Sequence, residues 1–415
     1  MTEKGKGGLY FGWYVVGTCF FLMALAYAPS TTLVGQFLVP VVDAFGVSNT
    51  AATLIVTVGM LAAVFASPVA GGLLTRFGTR KLVTVMLLIS AGSNVGMGVA
   101  GNFLILNIFA ALRGISLAFV GMVPIAMMVA AWFGRSRQGK AIALATIGSG
   151  IGAMAVSPLL AFIIEDYSWR WGFFLFALLS LLCVPLVLAT FAPSPQVKGL
   201  QRLGDDPPAP QAAGEEPAPD GMSGSEALKS GKFWAILLGF LFVAGVCQTW
   251  VNNAPGFYNG KLGISLIMVG TLIAVTALVL TVGKLLLGAF CDKFGARLGF
   301  FVSVACLVLC YALGIIGEIG AIAGLAMVCA IVMGLGQASL NITMPLITGQ
   351  ICGSRAYGVC MGYLQAAAAI GSAFIPLGAS ALLDVTGNYS PAFVFAGALG
   401  LIAIILIFAA YARQR

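Results

Sequence analysis

Over 415 residues the chain is 60% hydrophobic and 8% charged, has no histidine, and carries a net charge of +8 with a mean hydropathy of +1.05. A soluble domain has about 25% charged residues, so this composition excludes a water-solvated globule. The basic excess does not point to nucleic acid, because the bases sit in short segments between apolar runs and form no patch.

Runs of about 20 apolar residues recur from end to end, each long enough to cross a bilayer as a helix. Six spans are expected before residue 193, at 11–39, 48–75, 81–101, 103–133, 139–164 and 170–192. Six more follow at 232–258, 264–291, 298–317, 320–350, 356–382 and 390–412. The expected fold class is an all-α polytopic membrane protein with twelve transmembrane helices in two six-helix halves. The first run is too long for a signal-peptide core and is expected to be retained as span one.

Between the halves lies APSPQVKGLQRLGDDPPAPQAAGEEPAPDGMSGS at 192–225, rich in Pro, Ala, Gly and acids. It has almost nothing to bury, so a flexible linker is expected. The domain reading is an N-terminal six-helix bundle (1–192), a cytoplasmic flexible linker (193–228) and a C-terminal six-helix bundle (229–415). The following SEALKSGKFW at 225–234 predicts a short interfacial helix capped by Ser225, its Lys and Trp at headgroup level.

The bases set the orientation. With both termini inside, the cytoplasmic side receives seventeen, and the opposite side only Arg170 and Lys261. That bias places a multi-pass chain in the plasma membrane with both termini cytoplasmic. Two bases remain, Arg113 and Lys284, both within apolar runs. The nine cysteines are scattered through apolar segments without a CxxC, and with no histidine they read as inert small apolar residues. No metal or other cofactor is expected.

The halves repeat. GGLLTRFGTR at 71–80 and GAFCDKFGAR at 288–297 share G-x-x-x-x-[RK]-F-G-x-R. Arg137, Pro158 and Asp166 find counterparts in Arg355, Pro376 and Asp384, all three at one common offset and nearly that of the two turns. Duplication is the economical reading, and it predicts a substrate cavity near the bilayer midplane.

These turns resemble the loop signature of the major facilitator superfamily, G-x-L-x-D-[RK]-x-G-[RK]-[RK]. The first copy shows it in Gly71, Arg76, Gly78 and Arg80, but Thr75 replaces the usual acid. The second copy, with Gly288, Asp292, Lys293, Gly295 and Arg297, keeps it. The resemblance implies a gating role for both loops, with Asp292 as the surviving cytoplasmic latch. FGWYVV at 11–16, FLVPVVDAFGVS at 37–48, AAWFGRSRQGKA at 130–141, YSWRWGFF at 167–174 and EALKSGKFW before span seven resemble the monocarboxylate-transporter and oxalate/formate-antiporter branch.

A charge inside a span is costly and is by default functional or paired. Lys284 lies about eight residues from the cytoplasmic turn, too deep to snorkel comfortably. No Asp or Glu lies inside a span; Asp43, Glu165, Asp166, Glu318 and Asp384 are expected in outer loops. An anionic substrate is therefore the natural counter-ion, the alternative being a lysine satisfied by helix carbonyls and water. The resemblance implies an arginine holding the substrate carboxylate at this position, and lysine keeps the charge without the two-pronged geometry. Arg113, in ALRGIS, matches the superfamily's arginine of helix four. Structural bonding to neighbouring carbonyls and a part in coupling or the anion pathway both remain open for it.

Neutral polar residues complete the candidate set, since a small oriented anion needs a cation plus a few neutral donors. Span one offers Tyr27, Thr31 and Thr32, and span seven Gln248, Asn252 and Asn253. Gln337 and Asn341 share a face of span ten at a spacing of four, and Tyr363 and Gln365 lie on span eleven. Lys284 with Asn341, Gln337 and Tyr27 is the favoured core. The resemblance implies a second cation in helix eleven of antiporters, and Leu364 and Gln365 there are uncharged, which favours a monocarboxylate over a dicarboxylate. The glycines of TIGSGIG at 146–152, with Gly358 and Gly362, predict smooth faces for close helix contact.

The expected function is secondary transport of a small organic anion, a lactate- or pyruvate-like monocarboxylate, by alternating access. Proton symport is favoured by the resemblance, although the chain lacks a membrane acid or histidine to carry the proton. The alternatives are anion exchange of the oxalate/formate type, export of amphipathic compounds, and a non-transporting membrane sensor. GxxxxGK[ST] is absent, so ATP is not the energy source. No nucleophile–base or metal constellation can be assembled, which argues against an enzyme. The expected partners are the anionic substrate, protons where transport is coupled, and the lipid bilayer. Nucleic acid is not among them, and the chain is expected to act as a monomer.

Overall fold

The computed structural model describes residues 10–192, 194–204 and 224–412. Among them are twelve helices long and apolar enough to cross a membrane. Spans one to six are Gly12–Thr32, Asn49–Ser67, Thr79–Val99, Phe103–Trp132, Lys140–Asp166 and Trp169–Thr190. Spans seven to twelve are Gly231–Lys261, Leu266–Phe294, Ala296–Gly320, Leu325–Ile351, Cys360–Thr386 and Tyr389–Tyr411. The chain is a multi-pass integral membrane protein, all-α as the composition requires.

Duplication is visible in the backbone. The helix of span two runs Asn49–Phe77 and that of span eight Leu266–Phe294, so both ends repeat at the offset that relates Gly71 to Gly288. Each stops at a glycine, Gly78 at φ 85° and Gly295 at φ 88°, and the following helix starts directly after it. Both glycines lie where a side chain would clash with its own backbone. The turn motif is thus a backbone requirement, copied twice.

The described chain forms two compact units. Unit 1 comprises Met1–Thr32, Ala62–Val156 and Tyr167–Gly214; unit 2 comprises Leu33–Leu61, Ser157–Asp166 and Glu215–Arg415. In unit 1 a core built on Leu22, Phe119, Trp132, Phe133 and Phe191 joins spans one, four and six. The TIGSGIG glycines do what was expected of them: Gly148 and Gly152 leave no room for a side chain against the backbone of Phe20 and Ala24. Gly371 meets the backbone of Leu241 in the same manner in unit 2. Gly362 is different, with nothing within 4 Å of the place its Cβ would take.

Unit 2 is organised around Trp250, whose ring centroid lies 5.4 Å from that of Tyr311 and 5.3 Å from that of Phe393. The Tyr311 hydroxyl donates to the Val246 carbonyl at 2.6 Å, so its one polar atom is satisfied inside the apolar cluster. Close to this cluster, span seven ends in a π-helical turn at Phe257–Lys261. Span one carries another at Leu22–Tyr27 and then breaks at Leu33 into a 3₁₀ turn, Val34–Phe37.

Three sequence expectations need correction. Residues 195–204, assigned to a flexible linker, form a strap on unit 1. Leu203 N–H donates to Trp132 O at 3.1 Å and Gly134 N–H to Leu203 O at 3.0 Å. The Arg202 guanidinium donates to the carbonyls of Ala130 and Phe133 at a helix end, and Tyr10 donates its hydroxyl to Gln201 O at 2.9 Å. Pro195, Leu200 and Leu203 supply the apolar contacts that a composition average concealed. Residues 205–223 lie outside the described part.

A short helix does form there, Gly224–Lys229, but Ser225 is inside it and does not precede it. The serine that caps is Ser230, which accepts from Lys232 N–H at the start of span seven. Trp234 fastens the two helices by donating its indole N–H to Leu228 O at 2.8 Å. Lastly, the acids opposite the termini are not in loops. Asp43, Glu165, Asp166, Glu318 and Asp384 all lie within the last turns of helices, where the macrodipole disfavours them unless another group repays the cost.

Candidate functional site

Lys284 sits mid-helix on span eight, half-buried, with Leu285 and Leu286 exposed beside it. Among the described residues it has no hydrogen-bond or ion-pair partner; the ion pair they form is Lys261 with Glu318 at 3.9 Å. Span eight packs on span ten at this level. Gly283 lies 3.5 Å from the Leu335 backbone, measured from the place its Cβ would take. Leu280 and Leu287, one turn either side of Lys284, cluster with Ala338 and Ile342. Those two residues adjoin Gln337 and Asn341, so the fold brings the lysine-bearing turn to the polar stretch expected to serve it.

That stretch is not a regular helix. The helix Leu325–Gln337 is interrupted at Ala338 before the next one, Ser339–Thr386, begins. Gln337 Nε2 and Ser339 Oγ are buried there without a hydrogen-bond partner among the described residues, while Asn341 is exposed. A buried donor without an acceptor costs about 1–3 kcal/mol, a cost that a bound acceptor removes.

Span seven adds a second unsatisfied group. Gln248 donates through Nε2 to Asn252 Oδ1 at 2.9 Å, fixing the amide so that Asn252 Nδ2 is buried with no acceptor among the described residues. Asn253 is spent locally, donating to Thr249 O at 2.9 Å. Tyr363 and Gln365 are exposed, and the Tyr363 ring stands edge-on to Phe233 with centroids 6.2 Å apart.

The other candidates belong to unit 1 and are described there. Tyr27 closes the π-helical turn and packs its ring against Gly121. Thr31 donates back to Tyr27 O at 3.0 Å, which makes it a helix-internal group. Arg113 is buried on Phe103–Val120 with Nε and Nη1 unpartnered among the described residues.

The turn copies differ in their side chains. Thr75 donates to Gly72 O at 2.8 Å, back into its own helix. Asp292 is exposed and has no hydrogen bond or ion pair among the described residues. Arg76 and Lys293 each lie over the neighbouring ring, of Phe77 at 5.6 Å and Phe294 at 5.2 Å. Arg297 places its guanidinium 4.2 Å above Phe408, tying the turn to span twelve.

Twelve apolar helices, a duplicated glycine turn and an intramembrane cation that has no ion-pair partner among the described residues define the protein class as a polytopic membrane protein. The family profile described as Major Facilitator Superfamily matches residues 19–317 and 250–415, and the chain belongs to that superfamily.

Among curated proteins it is similar to Monocarboxylate transporter 13 of Bos taurus, 29% identical over 214 residues covering 49% of each chain. Monocarboxylate transporter 11 of Homo sapiens is 25% identical over 94% of this chain and 80% of its own. The D-galactonate transporter of Escherichia coli is 24% identical over 66% of this chain and 67% of its own. The chain spans about half the length, or less, of the first relatives it matches.

The fold has solved counterparts. The nucleoside transporter NupG (D323A mutant) matches with TM-score 0.75 at 12% identity, over 98% of this chain and all of its own. A bacterial homolog of the human lysosomal transporter Spinster, inward-facing and unoccupied, matches with TM-score 0.71 at 16% identity, over 98% and 96%. At these identities the likeness is one of fold.

Proposed function

We propose that this superfamily transporter carries a small organic anion, a lactate- or pyruvate-like monocarboxylate, by alternating access. The observation that carries the proposal is Lys284: a cation in mid-span, without a carboxylate partner among the described residues, while the acids of the described spans all lie in the last turns of their helices. A bound carboxylate neutralises it and lowers the cost of closing the protein around it. Gln337 Nε2 and Asn252 Nδ2, both buried and unsatisfied, are the neutral donors that such an oxygen ligand satisfies. Relatives named for monocarboxylates and for D-galactonate, itself a monocarboxylate, support the class of cargo.

In this reading both termini are cytoplasmic, as the bias of basic residues directs, in the plasma membrane. Proton symport is favoured. A lysine, unlike an arginine, can give up its proton, so the same side chain serves anion and proton. Anion exchange is the second reading, supported by a chain without histidine whose described span acids sit only in the end turns of their helices, away from mid-span.

Uptake of labelled lactate, pyruvate, acetate, oxalate and aromatic acids into proteoliposomes tests the proposal. The runs compare an inward proton gradient, none, and internal counter-substrate. Saturable uptake of a monocarboxylate that Lys284→Gln abolishes is expected, whereas undiminished uptake by that variant overturns the anion site. Stimulation by internal anion without a pH gradient decides for exchange.

A further inference from the structure

Three carboxylates on the membrane face opposite the termini accept backbone N–H groups at the start of another helix. Asp384 takes four bonds. Its Oδ1 accepts from Asn49 N at 2.8 Å and Asn49 Nδ2 at 2.9 Å; its Oδ2 accepts from Thr50 N at 2.8 Å and Thr50 Oγ1 at 2.6 Å. Glu165 accepts from Ile267 N at 3.0 Å. Glu318 accepts from Tyr389 N at 2.9 Å, from Ser390 N at 2.6 Å and from Ser390 Oγ.

The first turn of a helix leaves its N–H groups unsatisfied and carries a partial positive charge, so a carboxylate there is doubly favoured. Usually the residue just before the helix supplies the cap. At span two, Ser48 Oγ does accept, but from Ala51 N. The N–H groups of Asn49 and Thr50 are left for an acid near the far end of the chain.

The three caps differ in what they join. Glu318 ties span nine to span twelve, both in the second half of the sequence. Asp384 ties span eleven to span two, and Glu165 ties span five to span eight, so each crosses from one half to the other. These two joints are copies of one design: Thr50 and Ile267 occupy the same position in the two copies of the repeat, and Glu165 precedes Asp166, the counterpart of Asp384.

Polar contacts continue below both. Thr53 and Ser380 share a hydrogen bond at 2.8 Å, and Thr57 donates to Ala373 O at 2.9 Å. In the other joint Gln36 Nε2 donates to Ser157 Oγ, and Ser157 to Gly270 O, each at 2.8 Å.

We propose that Asp384 on Asn49 and Thr50, seconded by Glu165 on Ile267, is the latch that holds this face of the transporter shut. Its chemistry suits reversible use. When the joint parts at the membrane surface, water takes over the carboxylate and the freed N–H groups, so no group is stranded in lipid. Four bonds against one make the Asp384 joint dominant. The proposal rests on the secondary-transporter reading and is independent of the cargo.

The test is the spin-label distance between Ala44→Cys and Ile319→Cys in full-length protein whose native cysteines are replaced by alanine, in lipid nanodiscs. Both positions are exposed, one on each side of the proposed opening. Asp384→Asn keeps the volume but loses the charge and turns an amide N–H₂ towards donors. It is expected to raise the long-distance population roughly fivefold or more, Glu165→Gln about twofold, and Glu318→Gln not at all.

Unchanged distances in Asp384→Asn, or an equal rise in Glu318→Gln, overturn the latch. If Asp384→Asn does not fold, Asn49→Ala with Thr50→Val removes the two side-chain donors and must give the same direction of change; unchanged distances there also overturn it. Distances are read without cargo, so a failed latch and a failed transport reading are separable.

Discussion

Residues 49–78 and 266–295 are the same backbone twice and different chemistry. Both helices start and stop at matching positions, and both end on a glycine with φ between 85° and 88°. The side chains then diverge. Where the second copy has Lys284, the first has Ser67 at the matching position; where the second has Asp292, the first has Thr75. Ser67 donates to Ala63 O at 2.7 Å and Thr75 to Gly72 O at 2.8 Å, so both first-copy groups are satisfied within their own helix. Lys284 and Asp292 have no such partner among the described residues. The repeat gives two matching helices, and the charges of the second, Lys284 and Asp292, have no internal partner among the described residues. The asymmetry, and not the shared fold, carries the functional signal.

The largest effect follows from that difference. Lys284→Gln leaves a bound carboxylate facing an apolar span with no cation, a loss of about 2–5 kcal/mol. Monocarboxylate uptake by proteoliposomes should fall ~30-fold or more, with the helix intact by circular dichroism. Lys284→Arg restores the charge and adds a second donor prong, so it should recover most of the rate. A dead arginine variant with wild-type folding would show that geometry, not charge, is what the second copy preserved.

The next prediction concerns what the copies share. Gly78→Ala and Gly295→Ala force a Cβ into a conformation that costs of order 1–3 kcal/mol. Both should lower the melting temperature in detergent by similar amounts. The space around each is open, with nothing within 4 Å of the added atom, so the loss reports backbone strain alone. Unequal losses would break the equivalence of the two turns.

A smaller effect is expected at the polar stretch beside the lysine. Gln337→Leu removes a buried, unsatisfied amide, and for the empty protein such a change is nearly neutral or stabilising. Transport should show the opposite sign, with KM for the anion raised by about fivefold from the loss of one hydrogen bond. A lower melting temperature with unchanged KM would make Gln337 a packing residue.

The sequence disclosed these features unevenly, for physical reasons. Twelve spans follow from the solvent, because a bilayer leaves an apolar helix few alternatives. The glycine turns follow from a motif whose φ only glycine tolerates. Lys284 was visible because a charge in an apolar run needs no context to be anomalous. The strap at 195–204 was hidden because three apolar anchors, Pro195, Leu200 and Leu203, are diluted by polar neighbours. In the sequence Asp384 looks like a loop acid because its partners, Asn49 and Thr50, are distant in sequence and ordinary there. The interruption at Ala338, which leaves Gln337 unsatisfied, has no glycine or proline at the break to announce it.

The smallest effect is the strictest check on the comparison. Ser67 occupies in the first copy the position that Lys284 occupies in the second, and it is exposed and bonded only to its own helix. A serine hydroxyl that bonds back to the preceding turn slightly destabilises a helix, and alanine is the better helix former by a few tenths of a kcal/mol. Ser67→Ala should therefore leave uptake within about twofold of wild type and stability within about 0.5 kcal/mol, measured side by side with Lys284→Gln in the same vesicles. If Ser67→Ala instead lowered uptake tenfold without unfolding the protein, the first copy would also hold cargo. The division between a structural helix and a ligand-bearing one would then be wrong, and the site would draw on both copies of the repeat.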